Sequence, residues 1–286
     1  MSDDPAVATG LDPAALARIR AALAARPRGL FSDVDGTLSP IAPTPESAVL
    51  LPGVADLLDR ARQRFDVVAT VSGRSARDAR RMVGLDTITY IGNHGFEWMD
   101  PLARGSSSEH AADAVHVLPD ALPYRPAVEA VLARINADLA PRFPGLRIEP
   151  KGVTASVHIR NTADPAAAEE VVYRLASELA GPHGLRVTRG KMVVELRPPV
   201  AVDKGVAVAR VIREHGLRAA LYLGDDRTDI DAFRALRRLT AEGACYGVAV
   251  AVLHDEAPAD LAAEADIALA SIQRVPAFLR WLFTST

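Results

Sequence analysis

Asp33 and Asp35 stand one residue apart in the stretch Phe31-Ser-Asp-Val-Asp-Gly-Thr-Leu-Ser-Pro40. They follow the apolar run Gly29-Leu30-Phe31 and precede Gly36-Thr37, the pattern of a strand running into a turn. Side chains at i and i+2 of a strand share a face, and a turn can swing the second toward the first. Two carboxylates so placed can divide labour, one attacking as a nucleophile and the other moving protons. Asp-Gly is also a common turn dipeptide, so the pair taken alone leaves a solvated acidic turn open.

Three more apolar runs end in polar clusters. Phe65-Asp-Val-Val-Ala-Thr-Val-Ser72 ends in Ser72-Gly73-Arg74. A hydroxyl, a glycine that admits backbone N–H groups and a helix start together suit a phosphate; Ser72 as a plain helix cap is the simpler alternative. Thr87-Ile-Thr-Tyr-Ile-Gly92 ends in Asn93-His94. A lone His is more often structural, but ligands bind at the carboxyl ends of strands in open α/β sheets. Ala219-Ala-Leu-Tyr-Leu-Gly224 ends in Asp225-Asp226-Arg-Thr-Asp229. Carboxylates crowded at one strand end repel unless a cation sits among them, and an all-oxygen set suits Mg²⁺. Asp229 has a second reading as the N-cap of the helix that follows.

Composition narrows the field. The chain has 286 residues, 49% hydrophobic and 24% charged, the make-up of an ordinary globular chain. A net charge of −3 offers no nucleic-acid footprint. Cys245 is the sole cysteine, so no intrachain disulfide is expected and a reducing compartment fits. Met1-Ser-Asp-Asp-Pro5 lacks the basic flank and apolar core of a secretory signal, and no apolar run is long enough for a membrane span. A cytoplasmic monomer acting on a small molecule, without nucleic acid or membrane partners, is expected. Of the 33 basic residues only Lys151, Lys191 and Lys204 are lysine. In a chain so biased to Arg, a retained Lys is either a surface survivor of that drift or a site that needs a compact ammonium. Lys204 sits at a helix N-terminus, where the macrodipole favours anions; a phosphate beside it would explain the choice.

These motifs need a scaffold that gathers strand ends. Strands expected at 29–34, 65–72, 87–92 and 219–224, with helices between them, imply a parallel sheet whose carboxyl edge carries every cluster. Between 122 and 198 the order changes to helix, hairpin, helix, hairpin, with the second hairpin turning at Arg189-Gly190. The fold class expected is α/β: a Rossmann-like parallel-sheet core, 1–121 and 199–286, with an inserted α+β cap, 122–198, made of an antiparallel sheet and two helices. On that edge Mg²⁺ and Lys204 would neutralise a phosphomonoester. Asp33 would attack phosphorus, and Asp35 would protonate the leaving alkoxide and then activate water. The cation would be shared by Asp33, Asp35, Asp225 and Asp226.

Asp33-Val-Asp35-Gly-Thr37, Ser72-Gly-Arg74, Lys204 and Gly224-Asp-Asp-Arg-Thr-Asp229 resemble, in order, the four motifs of the haloacid-dehalogenase-like phosphohydrolases. More narrowly the chain is similar to the trehalose-6-phosphate phosphatases over roughly 30–235. That resemblance is carried by Gly92-Asn-His-Gly95 with Glu97, Glu149-Pro-Lys151 with His158-Ile-Arg160, and Gly190-Lys-Met-Val-Val-Glu195 with Arg197-Pro198. It implies Mg²⁺-dependent hydrolysis of trehalose 6-phosphate to trehalose and phosphate through an aspartyl phosphate, the last step of trehalose biosynthesis. It implies phosphate contacts from Ser72, Gly73, Arg74 and Lys204, and supporting roles for Thr37 and Asp229. Glu149, Lys151 and Glu195 would contact the distal sugar, with Asn93 and His94 near the cleft between core and cap. Ile159 stands where the family commonly has Tyr, and Ile230 where it commonly has Glu; both bear on substrate contacts rather than on phosphate chemistry. The alternatives are a phosphatase for sucrose or glucosylglycerol phosphate, a hexose phosphomutase, and a non-catalytic sugar-phosphate sensor. A sensor is disfavoured because Asp33, Asp35 and Asp225 are all present.

Overall fold

The computed structural model describes residues 11–102, 114–190 and 192–284. The chain divides into two units, Met1–His116 with Val202–Thr286, and Val117–Ala201. The expected boundaries lay five residues later at the first junction and three earlier at the second. Lys191 and residues 103–113 lie outside the described residues.

In the larger unit, β1 (Arg28–Ser32), β2 (Val67–Val71) and β10 (Ala219–Gly224) are buried along their whole length. Such continuously buried strands need helices on both faces. Together with β3 (Thr89–Gly92), β11 (Tyr246–Val252) and β12 (Ile267–Leu269) they form one parallel array. The sheet runs β12-β11-β10-β1-β2-β3-β4-β5, where β4 is Glu97–Met99 and β5 is the two-residue His116–Val117. β4 was not expected; it folds back antiparallel on β3, pairing Gly92 with Glu97.

Alternate residues of each strand feed two cores. Leu30, Val68 and Leu221 join Ile19 of α1 (Pro13–Ala24), Leu58 of α2 (Val54–Ala61), Ala79 of α3 (Ala76–Val83) and Phe278 of the last helix. Phe31, Ala69 and Tyr222 join residues of the two helices that flank β10 in sequence. α1 begins as its sequence suggests: Asp12 accepts the Ala15 N–H at 2.8 Å, a cap worth about 1 kcal/mol.

The smaller unit is an antiparallel sheet in the order β6-β7-β9-β8. Its strands are β6 (Arg147–Lys151), β7 (Thr154–His158), β8 (Arg186–Gly190) and β9 (Val193–Arg197). α4 (Arg125–Leu139) and α5 (Pro165–Ala180) pack through Val131, Ile135 and Val172 against Ala155, Val157, Val194 and Leu196. One sheet face is therefore apolar and covered by helices. The second hairpin turns later than expected. β8 runs through Gly190, which pairs with Val193, and Met192 in the turn takes a positive φ of 57°.

Candidate active site

Asp33 continues the β1 ladder, its N–H donating to the Leu223 carbonyl at 2.8 Å. Its carboxylate is thereby held at the carboxyl edge between β2 and β10 and is only 4% exposed. Beyond β9, α6 (Lys204–Glu214) starts with Lys204 itself, behind an Asp203 cap. The Lys204 ammonium is fully buried and reaches Asp33 Oδ2 at 3.0 Å and Asp229 Oδ1 at 2.7 Å, with Asp226 Oδ1 at 3.9 Å. Gly205 makes this possible. A Cβ there would lie 2.3 Å from the Asp231 carbonyl of α7 (Arg227–Ala241), so the α6 N-terminus presses directly on α7.

The acidic cluster after β10 divides its work. Asp226, not Asp229, is the N-cap of α7, its Oδ1 accepting from the N–H groups of Thr228 and Asp229. The helix starts one turn earlier than an Asp229 cap would allow, and Asp229 takes the N3 place of a capping box. Asp229 Oδ1 accepts from Lys204 and the Tyr222 hydroxyl, and Oδ2 accepts from the N–H groups of Asp225 and Asp226. Four donors occupy its lone pairs. Asp229 is a clamp that fixes Lys204 and the strand end. Asp225 Oδ1 accepts from the Thr37 hydroxyl at 2.6 Å. Gly36 is obligatory beside it: φ is +86°, and a Cβ would sit 2.0 Å from Asp225 Oδ2.

Asp33, Asp225 and Asp229 bring carboxylate oxygens within 4.8 Å of one another, all buried. Burial raises Asp33 well above the usual carboxylate range; Lys204 opposes this, and Asp229 and Asp225 add to it. Asp225 is raised for the same first reason, against hydrogen bonds from His254 and Thr37. Three buried carboxylates and the half-exposed Asp226 around one ammonium leave an excess of negative charge. A divalent cation with oxygen ligands answers that excess. Because Asp229 is saturated by donors, Asp33 and Asp225 are the fitting ligands.

Asp35 faces another partner. Arg74 Nε and Nη2 donate to its two oxygens, each at 2.6 Å, and Arg74 Nη1 donates to the Pro45 carbonyl. Arg74, expected at a phosphate, thus forms a fork on Asp35. Ser72 is buried and its hydroxyl accepts the Arg74 N–H; Ser75, three residues on, is the cap of α3. The first N–H of that helix, Ala76, donates to Glu97 of β4 at 2.7 Å. Asn93 and His94 both take positive φ, 49° and 57°. Their N–H groups donate to the Arg74 and Ser72 carbonyls, which zips this turn onto the Ser72-Gly73-Arg74 loop. A Cβ on Gly73 would lie 2.7 Å from His94 Nε2, so glycine is needed for the imidazole to lie there.

Two contributions were missed from sequence. His254, after β11, places Nε2 2.9 Å from Asp225 Oδ2. Glu97 was noticed only as part of a motif, without its role at α3.

In the cap, Glu149 pairs with Ser156, which pairs with Glu195, which pairs with Thr188. Opposed residues of an antiparallel sheet share a face, so these four form one polar row on the side away from the helices. Glu149 Oε2 is 2.6 Å from His158 Nε2, 3.6 Å from Arg147 and 3.7 Å from Lys151. Burial would raise Glu149, but the His158 hydrogen bond and the charges of Lys151 and Arg147 outweigh it and bring it down to about 2. Glu195 holds Arg197 in the same way. Glu149, Lys151 and Glu195 are thus gathered on one cap face.

The parallel core with catalytic-type residues at its strand ends and an inserted α+β unit places the chain among the haloacid-dehalogenase-like α/β proteins. A family model described as trehalose-phosphatase matches residues 31–271, and the chain belongs to that family. A trehalose-phosphate phosphatase of Mycobacterium tuberculosis is 37% identical over 261 residues, covering 90% of this chain and 61% of the relative. The chain thus spans about three fifths of that relative's length. The crystal structure of a trehalose-6-phosphate phosphatase related protein aligns with a TM-score of 0.71 at 25% identity, covering 90% of this chain and 97% of that one. The C-terminal domain of the Candida albicans trehalose-6-phosphate phosphatase shares the fold, with a TM-score of 0.72, 21% identity and coverage of 95% and 97%. No helix among the described residues is long and apolar enough to cross a membrane.

Proposed function

We propose that this chain hydrolyses trehalose 6-phosphate to trehalose and inorganic phosphate. The observation that carries the reading is the buried Asp33–Lys204–Asp229 chain of contacts beside Asp225, at the carboxyl edge of a parallel sheet. Asp33 attacks phosphorus: an oxygen–phosphorus bond forms to Asp33 and the bond to the sugar oxygen breaks. Asp35 supplies the proton that the departing sugar oxygen takes up. In the second half Asp35 takes a proton from water, the water oxygen bonds to phosphorus, and the Asp33–phosphorus bond breaks to release phosphate. Lys204, fixed by Asp229, neutralises phosphoryl oxygens, with Ser72 and the backbone of Gly73 as further donors. Arg74 orients Asp35 through its two-bond fork.

Mg²⁺ is the proposed cation, held by Asp33 and Asp225 with Asp226 beside them, and when bound it supplies charge neutralisation to the phosphoryl group. The sugar contacts are assigned to the polar cap face of Glu149, Lys151 and Glu195, whose paired charges leave acceptors and donors arranged for hydroxyls. Asn93 and His94 are assigned to the edge of the phosphate loop.

The reading is tested by phosphate release from trehalose 6-phosphate, sucrose 6-phosphate, glucosylglycerol phosphate and glucose 6-phosphate, with and without a chelator. Trehalose 6-phosphate is expected to be hydrolysed fastest, with activity lost on chelation and restored by Mg²⁺. A preference for another ester overturns the substrate, and full activity under chelation overturns the cation.

A further inference from the structure

We infer that His254 is a positioning residue for Asp225 and thereby sets how tightly the core edge holds its divalent cation. The inference rests on the cation reading above. His254 lies just after β11, the strand beside β10, so its ring reaches sideways to the end of the neighbouring strand. Its Nδ1 accepts the Glu256 backbone N–H at 3.2 Å. An imidazole nitrogen that accepts carries no proton, so in the neutral ring the proton is on Nε2. Nε2 then donates to Asp225 Oδ2 at 2.9 Å.

The tautomer is thus set by the loop itself. Thr37 holds the other oxygen, Oδ1, at 2.6 Å. The absent side chain of Gly36 lets Asp225 Oδ2 come within 2.0 Å of where a Cβ would be. Each Asp225 oxygen accepts one of these bonds and keeps a second lone pair for a cation. Two segments of the chain, at 36–37 and 254, therefore fix the Asp225 carboxylate, whose side chain is 3% exposed. Asp33, by contrast, takes its orientation from Lys204. Removing the His254 donor leaves Asp225 able to rotate about its remaining Thr37 bond, so cation binding would have to restore the lost order. Partners that orient a metal ligand typically change affinity by about 10- to 100-fold.

The test compares His254→Leu with His254→Gln, two side chains of similar size of which only Gln can donate to Asp225. Mn²⁺ binding to each purified protein is measured by the electron paramagnetic resonance signal of free Mn²⁺, and Mg²⁺ binding by competition. His254→Leu is expected to weaken Mn²⁺ binding about 10- to 100-fold. His254→Gln should recover most of that affinity. In turnover, His254→Leu should need more Mg²⁺ for half-maximal rate and approach the wild-type rate at saturation. Equal Mn²⁺ affinity in wild type and His254→Leu overturns the inference, as does an equal loss in both variants. If the wild-type chain itself binds neither ion, the cation reading falls and carries the inference with it.

Discussion

In the core, Asp33, Asp225, Asp226 and Asp229 gather around the one ammonium of Lys204. On the cap face the ratio is reversed: Glu149 is met by Arg147, Lys151 and His158. The two environments push carboxylates in opposite directions. Burial and neighbouring anions raise Asp33 and Asp225, whereas the cap bases bring Glu149 down to about 2 in spite of burial. The first is a site short of positive charge, and it suits a cation and a phosphate brought in from outside. The second is already neutralised, and it suits a ligand made of hydroxyls. Asp226 marks the border of the rule. It lies in the core cluster, yet Lys204 and the Thr228 bonds outweigh its burial and bring it down to about 2, because it spends Oδ1 on capping α7.

The largest expected effect comes from removing the proposed nucleophile in the core. Asp33→Asn should lower phosphate release from trehalose 6-phosphate by about 10⁵-fold with the circular dichroism unchanged; a rate near wild type would take the nucleophile's role from Asp33. Next, Lys204→Met should cost about 3 kcal/mol in urea unfolding, since it strands buried carboxylates without their cation. Mg²⁺ should return part of that stability, and more of it than it adds to the wild type, if the cluster is short of positive charge; an equal Mg²⁺ increment in both proteins would show that it is not. The smallest effect belongs to the cap. Glu149 is lowered from 4.5 to about 2, so its contribution is complete above pH 4.5 and is lost as pH falls toward 2. Glu149→Gln should therefore flatten the stability profile between those limits, by an amount on the order of 2 kcal/mol. Parallel profiles for the two proteins would show that the cap bases do not hold Glu149 ionised.

The strand ends were legible because buried parallel strands are apolar until they stop, so Asp33, Ser72, Asn93 and Asp225 announce themselves by contrast. The cap was legible as α+β from the alternation of helix and hairpin patterns. Other contacts lie between segments that no local pattern joins. Arg74 meets Asp35 across 39 residues and His254 meets Asp225 across 29, and neither distance carries a period. Within Asp225-Asp-Arg-Thr-Asp229 the cap could be either of two aspartates three residues apart, since a capping box uses both places. β4 escaped notice because three residues directly after a tight turn are too few to show alternation.

The strand order also has a bearing on how the chain is made. β1 lies between β2 and β10, and β10 begins at Ala219, 187 residues after β1 ends at Ser32. At typical elongation rates of 5–20 residues per second the ribosome needs roughly 10 to 40 s to cover that interval. Throughout it one edge of β1, with Asp33 at its tip, has no native partner strand, while both cap hairpins emerge and can close on themselves. The nascent core is therefore an open sheet edge exposed to other chains, and the cap is the part of the protein that can be finished first.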